Sequence, residues 1–322
     1  MNILILCTIG TPQDTSRQSI KKYLQSFLGD KNIVSVPQPF RYLLTRGIII
    51  PSKLDDSLAR YQKLASLCQG DLPLRRHLKE LKEGMQKETQ HWRVLSFMQY
   101  CGEKPSSLIK EIERERKVEQ IVLLPIFAHE TFSSYYASFA NLPQLLSKKY
   151  PNTPIRIVPP YYQHPTYIRL LQESIAPYTK PLSDLYIASF HSIPITHWKR
   201  GIRKGFDYKE QCEKTAQLLF AGLPEKSHKE MLFQSSIKPH RWLNPIIEKE
   251  MYRWVKRGYK RVTVVCPGFA VDCLETILDI GEELRSNYLA IGGEELRLVP
   301  CLNSGKRARE LYFQLAEGTL LS

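Results

Sequence analysis

From one end to the other, the chain alternates short apolar runs, rich in Ile, Leu and Val, with longer stretches of helical periodicity. No other feature narrows the fold as much. Strand-like runs cover 2–7, 92–98, 119–126, 154–159, 184–190, 230–235, 260–266 and 295–300. Helical patterns cover 17–28, 56–66, 74–88, 132–149, 166–176, 208–221, 245–257, 274–287 and 306–316. The apolar runs are nearly continuous, as in strands covered on both faces. Their regular exchange with helices implies parallel sheets.

About four strands lie on each side of a proline-rich segment, Pro159-Pro160 to His164-Pro165. The expectation is an α/β protein of two similar doubly wound, Rossmann-like parallel-sheet domains, 1–160 and 161–322, with a cleft between them. The last helix is placed to pack back on the first domain. Ligands in such sheets bind beyond the carboxyl ends of the strands, so the residues leaving each strand are the candidates for function.

Composition excludes several classes of function. Lys and Arg number 46 against 32 Asp and Glu, a net charge of +14. Nucleic acid, an anionic membrane surface or an acidic ligand would each suit that excess. The densest basic run is only Lys199-Arg200-Gly201-Ile202-Arg203-Lys204, so no nucleic-acid partner is expected. Apolar stretches reach roughly six to eight residues against the ~20 of a membrane span. The first residues, Met1 to Cys7, carry no basic leader and read as a strand, so a cytoplasmic protein is expected. The seven cysteines include no C-x-x-C pair. That spacing argues against a disulfide framework, a structural zinc site or an iron–sulfur cluster.

Four strand ends carry residues able to do chemistry. Ile9-Gly10-Thr11-Pro12 follows the first strand as a glycine turn, and His129-Glu130 follows the third as a loop pair read as solvated. Ser189-Phe190-His191-Ser192-Ile193-Pro194 sets a histidine at the end of the fifth strand. After the seventh comes Cys266-Pro267-Gly268-Phe269-Ala270-Val271-Asp272-Cys273-Leu274-Glu275-Thr276, with Asp279 four residues beyond Glu275 on the same helix face. Carboxylates at a helix start serve as caps, and a row of them can equally conduct metal ions or protons. His164, His197, His228 and His240 are scattered and read as surface or structural residues.

These motifs resemble the ferrochelatase family over almost the whole length. Tyr23 to Asp30 is similar to its YLxxFLxD, Arg46 to Pro51 to its RGIILP, and Tyr161 to Ile168 to its YxxHPxYI. Ser189 to Pro194 resembles its SxHSLP, Phe233-Gln234-Ser235 with Trp242-Leu243-x-Pro245 its QS…WLxP, and Cys266 to Thr276 its CPGFxxDCLET. The chain departs from the family at Thr8, 64–74, 98–102 and 125–136, all in the first half.

The resemblance implies a chelatase-like fold and insertion of ferrous iron, as substrate, into protoporphyrin IX at the interdomain cleft. It carries His191 and Glu275 over as the catalytic pair and as iron contacts, with Asp279 in an acidic row leading to them. It places Ile9, Ser192 and Trp242 beside the porphyrin. No prosthetic group is implied. Imidazole suits proton removal because its pKa lies near neutrality, and ferrous iron accepts imidazole and carboxylate ligands. Which of the two groups passes iron and which removes protons stays open at this level. Coproporphyrin, cobalt or nickel as substrates, and a non-catalytic porphyrin carrier, are the alternatives. Residues 34–50 mix aromatic, apolar and basic side chains. That composition suits a pocket lip touching an anionic membrane, and equally a buried helix pair with exposed arginines.

Overall fold

The structure, a computed structural model, describes residues 1–236 and 241–321; His240 lies outside the described residues. The chain forms two compact units. One comprises Met1–Phe127, Phe132–Pro159 and the chain from Ser304 onward, and the other Ala128–Thr131 and Pro160–Asn303.

The first unit opens with β1 (Asn2–Thr8), α1 (Arg17–Leu28) and a helical run from α2 (Phe40–Leu43) through a π-helical segment (Leu44–Ile49) into α3 (Ile50–Leu67). Then come α4 (Pro73–Glu88), β2 (Trp92–Met98), α5 (Pro105–Ile112), β3 (Gln120–Pro125), a π-turn (Phe132–Tyr136), α6 (Leu142–Lys149) and β4 (Ile155–Ile157). All four strands are parallel, in the order β2-β1-β3-β4, with Asn2 opposite both Trp92 and Gln120. A fully parallel sheet needs cover on both faces, and Ile3, Ile5 and Cys7 pack with Leu95, Ile121, Leu123 and Leu146 under one such cover.

The second unit repeats this plan. It contains α7 (Pro165–Ile175), β5 (Leu185–His191), α8 (Ile195–Ile202), α9 (Tyr208–Phe220), β6 (His228–Gln234), α10 (Ile247–Lys256), β7 (Arg261–Val265), a π-helix (Leu274–Leu284), α11 (Arg285–Ala290) and β8 (Glu295–Leu298). The order β6-β5-β7-β8, again all parallel, is that of the first sheet. Ile187, Val262, Val264, Trp254 and Tyr288 share its core. In both sheets the first strand is central, and the chain reverses its direction of winding between that strand and the third. The carboxyl ends of β5 and β7 therefore flank a topological switch point, where open α/β sheets bind ligands.

The final helix, α12 (Lys306–Leu321), belongs to the first unit. Its Arg309 donates to Glu88 on α4 at 2.9 Å and to the Ser304 carbonyl at 2.7 Å. Gly84 makes room for it, since a Cβ there would lie 2.8 Å from Arg309 Cδ.

All eight expected strands form, and four helical regions differ from expectation. The helix expected over 132–149 divides into the π-turn and α6, because Pro143 in the first turn of α6 cannot sit inside a longer helix. Helices α5 and α8 were not expected; each spans eight residues, too short to display a period. Residues 40–49 are helical but not a buried pair, since Phe40, Leu43 and Ile48 are 66%, 64% and 64% exposed.

Asp207 caps α9 and fastens α8 to it. Its carboxylate accepts from the amides of Lys209 and Glu210 at 2.9 and 3.1 Å and from Trp198 Nε1 at 2.8 Å. Asp207→Ala is expected to destabilise the second unit by about 1–2 kcal/mol, the usual worth of such a cap. The check is a lower midpoint of thermal unfolding, largely restored in Asp207→Asn, which keeps an acceptor oxygen.

Candidate active site

His191 is the last residue of β5 and lies half-buried opposite Gln234, the last residue of β6. Its Nδ1 lies 2.6 Å from the Ser192 carbonyl. A carbonyl oxygen only accepts, so Nδ1 carries the hydrogen and, in the neutral ring, Nε2 carries the lone pair. The Tyr208 hydroxyl donates to the His191 carbonyl at 2.8 Å, and the imidazole stands 6.4 Å, centroid to centroid, from the Phe269 ring. The histidine is held by its main chain and by one ring nitrogen, and the other nitrogen bears the lone pair of the neutral ring.

The loop after His191 is pinned internally. Ser192 is buried; its amide donates to the Gln234 carbonyl at 2.9 Å and its hydroxyl to the Leu243 carbonyl at 2.9 Å. Trp242, half-buried, bridges antiparallel to Pro194, with Leu243 N donating to Ile193 O at 3.1 Å. Trp242 and Ser192 thus meet the histidine loop directly, Trp242 through the backbone. Ile9 lies in the other unit, at the exit of β1, half-buried against Tyr23 and Tyr100. Beside it Gly10 adopts φ +89°, and a Cβ there would lie 3.0 Å from Met98 Cβ, so the turn needs glycine.

The Cys266–Thr276 segment leads from β7 into the π-helix. Tyr167 donates its hydroxyl hydrogen to the Pro267 carbonyl. Asp272 is buried and ties the helix start to the chain after β8. Its amide donates to Asn303 Oδ1 at 2.8 Å, and its carboxylate accepts from Asn303 Nδ2 at 2.7 Å and Thr276 Oγ1 at 3.1 Å. An eleven-residue π-helix is long for a form seen mostly as single-turn bulges near functional sites.

Glu275 and Asp279 are half-buried on that helix, and Gln234, the last residue of β6, and Ser235, the residue after it, reach them in turn. Gln234 Nε2 donates to the Glu275 carbonyl at 2.8 Å, and Ser235 Oγ donates to Asp279 Oδ2 at 3.0 Å. Ser235 has φ +63°, a left-handed conformation uncommon for a residue with a Cβ, and its amide donates to Glu248 Oε1 at 3.2 Å. Among the described residues, no three His, Cys, Asp or Glu side chains converge as a metal-ligand set; His191, Glu275 and Asp279 therefore do not form a preassembled cage. Burial pushes the Cys266, Cys273 and Cys301 thiols up, and nearby carboxylates (Asp272 for Cys266 and Cys301, Glu275 for Cys273) push them further. They stay protonated, and a protonated thiol is a poor metal ligand, since the thiolate is the ligand form.

His129 departs from expectation. It is 3% exposed, not part of a solvated loop. Thr215 Oγ1 gives its hydrogen to the Tyr162 carbonyl at 2.7 Å, so His129 Nε2, 2.8 Å away, is the donor to that oxygen and Nδ1 is left bare. The rings of Phe190 and Tyr208 stand edge-on to it at 5.1 and 6.2 Å. Desolvation pushes its pKa down to about 3. The family-like motifs contain Gln234 and Phe269 without assigning either a role, and Tyr208 carries no local signal beyond the start of an expected helix; the Gln-Ser pair leaving a strand is the one local signal.

With the folded pKa of His129 below the ordinary 6.5, the unfolded chain binds the extra proton on acidification. Its contribution to stability is complete above about pH 6.5 and declines as pH falls toward 3. Unfolding midpoints measured between pH 7 and pH 4 are expected to fall less steeply in His129→Gln than in the unmodified chain.

A ferrochelatase family model matches residues 2–319. The ferrochelatase of Porphyromonas gingivalis is 30% identical, across 94% of this chain and 92% of its own. That of Vibrio cholerae is 31% identical, across 98% of this chain and 97% of its own. Among solved structures, SirB from Bacillus subtilis with Fe3+ shares the fold at a TM-score of 0.55 and 11% identity, over 76% of this chain and 88% of that one. With a family model spanning nearly every residue and relatives matched almost end to end, the chain belongs to the ferrochelatase family.

Proposed function

We propose that the enzyme inserts ferrous iron into protoporphyrin IX, forming protohaem, with His191 as the proton acceptor. The reaction breaks both macrocycle N–H bonds, joins iron to the ring nitrogens without changing its Fe2+ state, and releases two protons. It needs a neutral base near the ring centre and a route for charge. The observation that carries this reading is the tautomer of His191: Nδ1 is committed to the Ser192 carbonyl, leaving Nε2 as the basic nitrogen. Glu275 and Asp279, four residues apart on one helix, supply the acidic row along which iron enters or protons leave. Trp242 offers the porphyrin an apolar face. The Ser192 hydroxyl, spent on Leu243, serves by holding the loop.

The test is anaerobic, with purified protein, ferrous iron and protoporphyrin IX, following the loss of porphyrin fluorescence. His191→Ala is expected to cut turnover by about 100-fold or more while porphyrin still quenches on binding. Parallel reactions with coproporphyrin III and with cobalt identify the substrate. Porphyrin binding without turnover in the unmodified chain would leave a carrier instead of an enzyme.

The segment Phe40–Ile49 supports a second part of the reading, peripheral contact with an anionic membrane surface. Phe40, Tyr42, Leu43 and Ile48 are exposed around Arg41 and Arg46, and Arg46 stacks 4.5 Å over the Tyr42 ring. Apolar side chains among basic ones suit the boundary between headgroups and acyl chains. No helix among the described residues is long and apolar enough to cross a membrane. Sedimentation with phosphatidylglycerol vesicles is expected to carry the protein down at low salt and less at high salt. The double substitution Phe40→Ser with Leu43→Ser should reduce it, and equal sedimentation of both proteins would refute the contact.

A further inference from the structure

We infer that Gln234 is a positioning residue that sets the spacing between the His191 end of the sheet and Glu275. The inference rests on the reading of His191 and Glu275 as the catalytic pair. Gln234 is fully buried at the end of β6, in register with His191. Its main-chain carbonyl accepts from Ser192 N at 2.9 Å, next to the base. Its side-chain Nε2 donates to the Glu275 carbonyl at 2.8 Å. Its Oε1 accepts from Ser189 Oγ at 2.7 Å and from Cys266 Sγ at 3.6 Å.

One residue therefore touches the end of β5, the exit of β7 and the first turn of the π-helix. The amide can face only one way. The Glu275 carbonyl cannot donate, so Nε2 must point to it, and Oε1 is then left to Ser189 and Cys266. The Ser189 hydroxyl, buried two residues before His191 on the same strand, locks that orientation. An α-helical or π-helical carbonyl already has a backbone acceptor role, so the added Gln234 bond is not needed to form the helix. What it adds is location: the backbone of Glu275 is held against the strand end that carries the base. A buried hydrogen bond at a fixed length is suited to this, because displacement of a reacting group by about 1 Å costs on the order of 100-fold in rate.

The test compares Gln234→Met, which keeps the length and loses both bonds, and Gln234→Glu, which keeps the shape and replaces the donor with an oxygen. Both are assayed beside Glu275→Gln with ferrous iron and protoporphyrin IX. Gln234→Met is expected to lower kcat by about 100-fold with little change in KM for porphyrin. Gln234→Glu should show the same loss at pH 8 and recover as pH falls, because a protonated carboxyl again donates to the Glu275 carbonyl. The unmodified chain should show no such rise. Other titratable groups around the position are His191, Cys266, Glu275, Asp279 and Glu248, all shared by the variants.

A loss in Glu275→Gln, with Gln234→Met keeping more than half of kcat, would overturn the positioning role and leave the proposed function standing. Full activity in Glu275→Gln would overturn the catalytic pair itself. If Gln234→Met fails to fold, Gln234→Glu decides alone: acid recovery supports the inference, and a flat low profile overturns it.

Discussion

Strand β5 is paired on both sides, with β6 through seven residues from Leu185 to His191 and with β7 from Leu185 to Ala188, and the site depends on that double pairing. Parallel neighbours lie about 4.8 Å apart, so the chain segments leaving three adjacent strands emerge within roughly 10 Å of one another. His191 ends the central strand, the Gln-Ser pair leaves one neighbour, and the segment leading to the helix of Glu275 and Asp279 leaves the other. Because the strand order reverses direction between β5 and β7, no crossover helix fills the gap between their ends. The same topology places Ile9 at the exit of β1 in the other sheet.

Around this frame Asp272 and Gln234 are buried and paired. An unpaired buried polar group costs about 1–3 kcal/mol. Asp272 avoids that by exchanging hydrogen bonds with Asn303 and taking the Thr276 hydroxyl. Gln234 satisfies both ends of its amide against three separate segments. Networks of this kind are rigid because each member loses partners if it moves. Such a mount holds the helix of Glu275 and Asp279 against the strand ends beside His191. The thiols of Cys266, Cys273 and Cys301 beside it are held protonated by burial and by the nearby Asp272 and Glu275.

Two histidines at strand exits illustrate how burial assigns roles. His129 follows an apolar strand and His191 ends one, and both have one ring nitrogen in a hydrogen bond. Desolvation among aromatic rings holds His129 neutral down to about pH 3, which fits a structural strut. His191 is half-buried, ends its strand in reach of solvent, and has its lone pair directed by a neighbouring carbonyl. The family-like motif singles out His191 in the sequence, but the enclosure of His129 cannot be read there; the residues that enclose it, such as Tyr162, Phe190, Tyr208 and Thr215, come from separate parts of the chain.

By itself the sequence determined the alternation of eight strands with helices and the recurrence of one plan in two halves, because apolar run length and helical period are local properties of the chain. It also determined the residues at the strand exits, through motifs long enough to define a family. Interruptions depended on single residues, such as Pro143, whose effect was visible only once a longer helix had been assumed. The short helices α5 and α8 carried too few turns to register as a period. Only the tertiary structure decided which candidates are held and by what. The tautomer of His191, the enclosure of His129, the spending of the Ser192 hydroxyl and the reach of Gln234 to Glu275 are all set by partners between one and 86 positions away in the chain. Apart from the carbonyl beside His191, those partners meet only when parallel strands come into register, and hydrogen bonds, which need alignment within a few tenths of an ångström, cannot be read before that register exists.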